Sequence, residues 1–380
     1  MGVQNGAGDE VTDLAAGNSS KGSESTDTPP FLVAAVGASA GGLDAFSRLV
    51  RDIPDDAALA LVLVQHLARN QQSLLPEILA RRTALKVVEA RNEMQLEMGH
   101  VYIIPAGAHM TVSDGHVLIA PRPAGSSGVQ VDLLFRSVAE CYGEKAVGVV
   151  LSGGAADGAA GLREIKAVGG ITLAQRPDDA QIDGMPRAAI ANGAADIVLS
   201  VEEIATELIR LSKLRTFSGQ PPDEEGGEQD EEAQYAAIFR LLRRGTGVDF
   251  SHYKRPTIAR RIARRMALRR AFTLSDYVEV LQQDPVEVHH LQEDVLIHVT
   301  SFFREPESFD ALKEAVFPAL LRERDDSSLR IWVPGCSSGE EVYSLAITLF
   351  ETLEDEADQV PIQFFGTDVS KTSIERARAG

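Results

Sequence analysis

Between residues 31 and 213, short apolar runs alternate with stretches of helical periodicity, and this alternation constrains the chain more than any other feature. Leu32–Val36 is apolar at every position and closes on glycine, as a strand buried on both faces of a parallel sheet must be. Leu43–Ile53 follows with Leu43, Phe46, Leu49 and Val50 on one helical face. Leu59–Val64, Val147–Leu151, Ile171–Ala174 and Ile197–Leu199 repeat the strand pattern, and Ala159–Ala167 reads as a helix. Val101–Ile104, Met110–Val112 and Val117–Ile119 read as hairpin strands, with Ser113-Asp114-Gly115 as a turn. The expected class is α/β, a doubly wound, mostly parallel sheet with helices on both faces.

The flanks differ in kind. Residues 1–30 are rich in Gly, Ser, Asp and Glu, end in Pro29-Pro30, and carry too little apolar surface to fold, so a disordered tail is expected. Residues 214–234 read as an acidic linker, with Pro221-Pro222 followed by Asp223, Glu224, Glu225, Glu228, Asp230, Glu231 and Glu232. Residues 235–290 show helical patterns without a strand signal, which predicts a small all-helical domain. In 291–380, strand Arg330–Val333, a Gly-rich turn, helix Glu340–Thr352 and strand Pro361–Gly366 open a second α/β unit, and the chain stops within a helical pattern.

A net charge of −19 argues against a general nucleic-acid binder and against attraction to anionic membranes. Two cysteines, Cys141 and Cys336, make neither a metal pattern nor a disulfide framework, which fits a reducing compartment. The N-terminus lacks the apolar core of a signal peptide, and no apolar run reaches the roughly 18–20 residues that span a bilayer. A cytoplasmic protein is expected.

Three residues then stand out. Gly37-Ala38-Ser39-Ala40-Gly41-Gly42 joins the first strand to a helix, a tight turn that lifts a hydroxyl clear and aims helix N-terminal amides beside it. Alone, it reads equally as a phosphate-binding or merely tight loop. His66 ends the second strand, and Asp157 follows the strand Val147–Leu151; singly they read as a structural histidine and a helix cap. Together they lie at carboxyl ends of parallel strands, where open α/β sheets build sites, and they supply nucleophile, base and orienter. No histidine lies between Asp157 and the linker, so the chain order is Ser, His, Asp. The α/β-hydrolase order of Ser, acid, His does not fit.

Gly37–Gly42, Val64-Gln65-His66, Tyr102-Ile103-Ile104-Pro105 with His109, Leu151–Gly158 with Gly161-Leu162, and Ala174-Gln175 with Gly184-Met185-Pro186 resemble the catalytic domain of chemotaxis protein-glutamate methylesterases. The resemblance covers 31–213. It implies Ser39 as nucleophile, His66 as general base, Asp157 as orienter and the Gly154 N–H as an oxyanion donor. It also implies receptor glutamate methyl esters as substrate, methanol as product, and no cofactor for the esterase. Ala40 and Gly154 stand where that family usually has Thr and Met, and Val129-Gln130-Val131-Asp132 lacks its Arg-Pro. The usual N-terminal receiver domain is absent from the pattern, so switching by phosphorylation in cis is not expected. A non-catalytic module that keeps the fold and binds receptors is the alternative reading, and an esterase of small molecules a third.

Gly335-Cys336-Ser337-Ser338-Gly339-Glu340-Glu341 lets backbone approach a ligand, but two carboxylates beside it would repel a pyrophosphate and suit an ammonium group. Asp368, ending the next strand, suits ribose hydroxyls. With Thr300-Ser301-Phe302-Phe303-Arg304, Trp332–Tyr343 and Gly366-Thr367-Asp368, residues 236–380 resemble chemotaxis receptor methyltransferases. That resemblance implies a Rossmann-like S-adenosylmethionine fold held at Thr300, Arg304, Gly335, Gly339, Glu340 and Asp368, with no metal. His298 replaces the usual Asn, and Ser370 a common acidic residue. With only two strands of the cofactor sheet, the expectation is a fragment of a longer fusion whose methyltransferase part neither folds completely nor transfers methyl groups. Finally, Lys254, Arg255, Arg260, Arg261, Arg264, Arg265, Arg269 and Arg270 form a cationic stretch, read either as a solvated helix face or as a dock for acidic receptor helices.

Overall fold

The structure is a computed structural model and describes residues 31–66, 74–123, 128–214, 228–296, 300–323, 328–353 and 360–380. The expected tail at 1–30, residues 215–227 of the linker, and His298 lie outside the described residues.

The first unit runs β1 (Leu32–Ala38), α1 (Gly42–Arg51), β2 (Leu59–Gln65), α2 (Leu75–Ala80), β3 (Lys86–Glu89), β4 (Met94–Gln95), β5 (His100–Ile103), β6 (Ala108–Ser113) and β7 (His116–Pro121). It continues through α3 (Gln130–Tyr142), β8 (Ala146–Val150), α4 (Ala159–Val168), β9 (Ile171–Gln175), α5 (Gly184–Ala191), β10 (Ile197–Leu199) and α6 (Val201–Ser212). Seven strands form one sheet in the order β10-β9-β8-β1-β2-β5-β3, every pair parallel. Every residue of β1, β8 and β9 is buried, because helices cover both faces. Alternate residues divide between two cores: Ala34, Val36, Leu61 and Leu63 on one face, Val33, Ala35, Val62 and Val64 on the other. Strand order reverses at β1, with β2 on one side and β8 on the other, so a crevice opens at their carboxyl ends.

One strand departs from expectation. Val101–Ile104, expected to join the two strands after it in a hairpin set, instead forms β5 and pairs in parallel with β2 and β3. Only β6 and β7 form the hairpin, turning where Asp114 (φ 47°) and Gly115 (φ 75°) are left-handed. Apolar runs of this length do not encode their partners; Leu61–Leu63 and Val87–Glu89 supply them from 40 and 14 residues away, register partners such as Leu61↔Val101 and Val87↔Val101.

The second unit is helical: α7 (Glu228–Thr246), α8 (Arg255–Arg269), α9 (Leu274–Gln283) and α10 (Pro285–Val295) around Ile238, Leu242, Phe250, Ile258, Ile262, Tyr277 and Leu291. The first turns of α7 fall within the stretch read as linker, since acidic residues favour a helix N-terminus. The third unit holds α11 (Pro306–Ala311), α12 (Phe317–Glu323), β11 (Leu329–Pro334), α13 (Glu340–Leu353), β12 (Ile362–Thr367) and α14 (Lys371–Ala379). Its described core is thin: Phe317, Leu349 and Leu353 are its fully buried members, and Trp332 remains 67% exposed.

For three residues of the cationic stretch neither sequence reading holds. Arg261, Arg264 and Arg265 are buried, not solvated and not free to meet a receptor helix. Their partners lie on the first unit and within the helical unit, where a pattern read along one helix cannot see them.

Candidate active site

At the crevice the backbone of β1 turns sharply. Ser39 donates its N–H to Ser152 O (2.9 Å), Gly42 N–H returns to Ser39 O (3.0 Å), and α1 starts at once. The turn needs glycine at position 41, whose φ is 82°; a Cβ there would lie 2.5 Å from Ser152 Oγ. Position 153 is equally tight, since a Cβ would meet Met185 Sδ at 2.0 Å and Ser39 Cβ at 3.0 Å. The β8–α4 loop therefore lies directly against the serine.

His66 follows β2, and its N–H donates to Ala38 O (3.3 Å), which ties it to the end of β1. Asp157 lies behind it with a fully buried side chain, and its Oδ2 is 2.7 Å from His66 Nε2. The same carboxylate accepts N–H bonds from Val131 to Oδ2 and Asp132 to Oδ1, both 3.0 Å. Burial alone would raise its pKa; the bonds from His66, Val131 and Asp132 outweigh that and hold it below the usual carboxylate range. Ser39 and His66 line one hollow of about 540 Å³ with Ala40, Gly41, Leu43, Asp44, Gln65 and Gln181. Nε2 is committed to Asp157, so Nδ1 is the ring nitrogen left for a proton from the hollow. Among the described residues, Ala40 and Gly154 spend no N–H on the backbone hydrogen bonds that fix their loops. The structure thus brings Ser39, His66 and Asp157 to one sheet edge.

Sequence reasoning assigned no role to the residues that brace this loop. Ser152 Oγ donates to Ala40 O (2.8 Å) and accepts from Ile182 N–H (3.0 Å), and Ser152 N–H reaches Gln175 Oε1 (2.9 Å). Asp132 Oδ1 accepts from Gly158 (3.0 Å) and Gly161 (2.6 Å) at the start of α4, and burial raises its pKa, as does the neighbouring Asp157. Single buried hydroxyls and carboxylates leave no periodic signal; only the loop context could have flagged them. His109 lies on β6, apart from the residues that line the hollow.

In the third unit, Gly335 (φ 69°) and Gly339 (φ 100°) bound the β11–α13 loop. Asp368 accepts from Ser337 N–H (2.9 Å) and Ser370 N–H (2.7 Å), and Glu340 accepts from Ser338 Oγ (2.7 Å). Phe303 N–H donates to Ser344 Oγ (3.0 Å), which brings the Thr300–Arg304 segment to α13. Among the described residues, a Cβ at Gly335 would meet nothing within 4 Å, and Ser337 Oγ is buried without a partner. Open space beside glycine, an unused buried hydroxyl and flanking carboxylates fit a polar, cationic ligand. Gly339 is glycine for a second reason, since Ala377 and Tyr343 crowd it at 3.0–3.1 Å. Among the described residues no His/Cys/Asp/Glu cluster could hold a metal, and no helix is long and apolar enough to cross a membrane.

Residues 34–208 match the family model described as CheB methylesterase. A Leptospira interrogans protein named putative protein-glutamate methylesterase/protein-glutamine glutaminase is 34% identical over 181 residues, 47% of this chain and 93% of that protein. This chain belongs to the CheB methylesterase family. Its CheB domain is followed by matches to the CheR methyltransferase all-alpha domain at 233–296 and to the CheR S-adenosylmethionine-binding domain at 298–380. An uncharacterized 104.1 kDa protein of Rhodobacter capsulatus is 37% identical over 326 residues, 80% of this chain and 34% of that protein. A Photorhabdus laumondii protein-glutamate methylesterase/protein-glutamine glutaminase is 40% identical over 46% of this chain and 51% of its own length. The chain thus spans a third to a half of these two relatives. The crystal structure of the Thermotoga maritima CheB methylesterase catalytic domain is 28% identical, with a TM-score of 0.45, and covers 48% of this chain and 98% of that one.

Proposed function

We propose that the CheB domain hydrolyses methyl esters of glutamate side chains on the cytoplasmic helices of chemotaxis receptors. The observation that carries this reading is the 2.7 Å contact of His66 with buried Asp157, with His66 and Ser39 lining the same hollow. Ser39 Oγ attacks the ester carbonyl while His66 Nδ1 takes its proton, and Asp157 holds Nε2–H and stabilises the imidazolium. The carbonyl oxygen becomes an oxyanion facing the N–H groups of Ala40 and Gly154, each such donor lowering the barrier by about 3 kcal/mol. Collapse expels methoxide, which leaves as methanol with the proton from His66. Water, deprotonated by the same nitrogen, then cleaves the acyl-Ser39 ester and frees the glutamate. Loss of the Thr and Met side chains usual at positions 40 and 154 leaves both backbone donors in place.

The same steps expel ammonia from a primary amide, the glutaminase activity named for the relatives. In the CheR part, Gly335 and Gly339 would shape the loop that takes S-adenosylmethionine, Glu340 would face its ammonium, Asp368 its ribose, and Thr300 and Arg304 would approach from the 300–304 segment. Bound there, that cofactor supplies an electrophilic methyl group for receptor glutamates. The substrates of the family support a cytoplasmic site of action.

The reading is tested by incubating the chain with methyl-esterified and glutamine-containing receptor fragments and following both by mass spectrometry. Conversion of esterified glutamates to free glutamates with one methanol each is expected. Intact esters beside hydrolysed small-molecule esters would replace the receptor by a small substrate.

A further inference from the structure

We propose that α8 is an interdomain clamp: an anionic seat on the CheB domain takes its arginine face, so the two domains act as one body and that face is closed to external acidic partners. This does not rest on the proposed chemistry.

The seat has two parts. One is the C-terminus of α4, where the last carbonyls and the helix dipole favour a cation. Arg261 fills that position, donating to Lys166 O (3.0 Å) and Ala167 O. The other part is Asp196, just before β10, fixed by Thr172 N–H (3.0 Å) and the Thr172 hydroxyl (2.9 Å). Arg264 is 1% exposed and uses three donors at once: Nε to Gly170 O (2.9 Å), one terminal nitrogen to Asp196, and the other to Asp294 of α10. Its guanidinium thus bridges a carboxylate of each domain. Burial would raise the Asp196 pKa, but Arg264 and Lys166 hold it down at about 2, so the carboxylate stays charged.

Apolar contact runs alongside. Ala267 is 5% exposed and belongs to the core on one face of the CheB sheet, with Leu268 packed against it. Arg210 of α6 donates to Ala267 O (2.9 Å), which closes the contact from the CheB side. A buried ion pair adds less stability than its charges suggest, because desolvation opposes it; its strength lies in fixing one orientation. A planar guanidinium that satisfies three acceptors in fixed directions sets such an orientation. Arg255, Arg260, Arg269 and Arg270 of α8 and its C-cap keep solvent exposure.

The test uses the full chain with a specific protease site placed between residues 214 and 228. After cleavage, the two fragments are expected to co-elute as a one-to-one particle in size exclusion and native mass spectrometry at micromolar concentration. A glutamate-rich helical peptide in excess should not displace either. Arg264→Met should weaken the association by about 100-fold or more, and Arg261→Ala by about 10-fold. Arg261 donates only to backbone carbonyls of α4, so its variant carries the test if Arg264→Met does not fold. Separation of the wild-type fragments, displacement by the peptide, wild-type association in the folded arginine variants, or a particle of twice the mass would each overturn the proposal.

Discussion

Asp157→Asn is expected to slow methanol release by about 10³–10⁴-fold without unfolding the CheB domain. The side chain is fully buried and accepts three N–H groups, from His66, Val131 and Asp132. An asparagine offers one acceptor oxygen where the carboxylate offered two. If that oxygen keeps the Asp132 N–H at the Oδ1 position, the amide NH₂ takes the Oδ2 position, faces His66 Nε2 and forces it to accept. The ring proton then sits on Nδ1, the nitrogen that must take the proton of Ser39. The base is blocked by the wrong tautomer rather than displaced. Steady-state kinetics should show kcat falling with KM nearly unchanged, since Asp157 does not line the hollow. A loss below about 10-fold would mean that this pair does not set the proton's position.

Gly41→Ala should cost activity by a different route. At φ 82° an alanine is strained by about 1–2 kcal/mol, and its Cβ would lie 2.5 Å from Ser152 Oγ. That hydroxyl holds Ala40 O and Ile182 N–H, so it cannot retreat without releasing the serine turn and the loop opposite it. The expected result is a thermal midpoint lowered by several degrees and at least about 100-fold less methanol release. Adding Ser152→Ala removes the obstructing oxygen but leaves Ala40 O and Ile182 N–H without its hydroxyl and the backbone strain in place, so the double variant should regain neither stability nor rate. Wild-type rates in Gly41→Ala would show that the turn is not under this constraint.

What was legible in the sequence followed physical range. Runs such as Leu32–Val36 and Leu59–Val64 declare themselves, because a parallel strand covered on both faces has no polar position, and β1 and β2 fall within two residues of those bounds. Ser39, His66 and Asp157 could be nominated because each follows such a strand, and the sheet brings strand ends together. Longer-range relations were not legible. The apolar run of β5 carried no mark of its partners. Helix α3, which packs Val131 against Gly37, did carry a helical period in Val131, Leu134, Phe135, Val138 and Tyr142, but nothing in that period says which strand it covers. The charge of Arg264 was visible, but its meaning depended on Asp196, 68 residues earlier. Charge patterning reads a helix face as solvated when its counterions come from another domain.

The most direct measurement is methanol released from a methyl-esterified receptor cytoplasmic fragment, with the wild-type chain beside Ser39→Ala. Steady release by the wild type is expected, with at least about 10⁴-fold less by the variant and both proteins folded alike by circular dichroism. Equal release by the two would contradict Ser39 as nucleophile. No release by either, with the receptor fragment still bound, would make the domain a binding module that keeps the fold without the reaction.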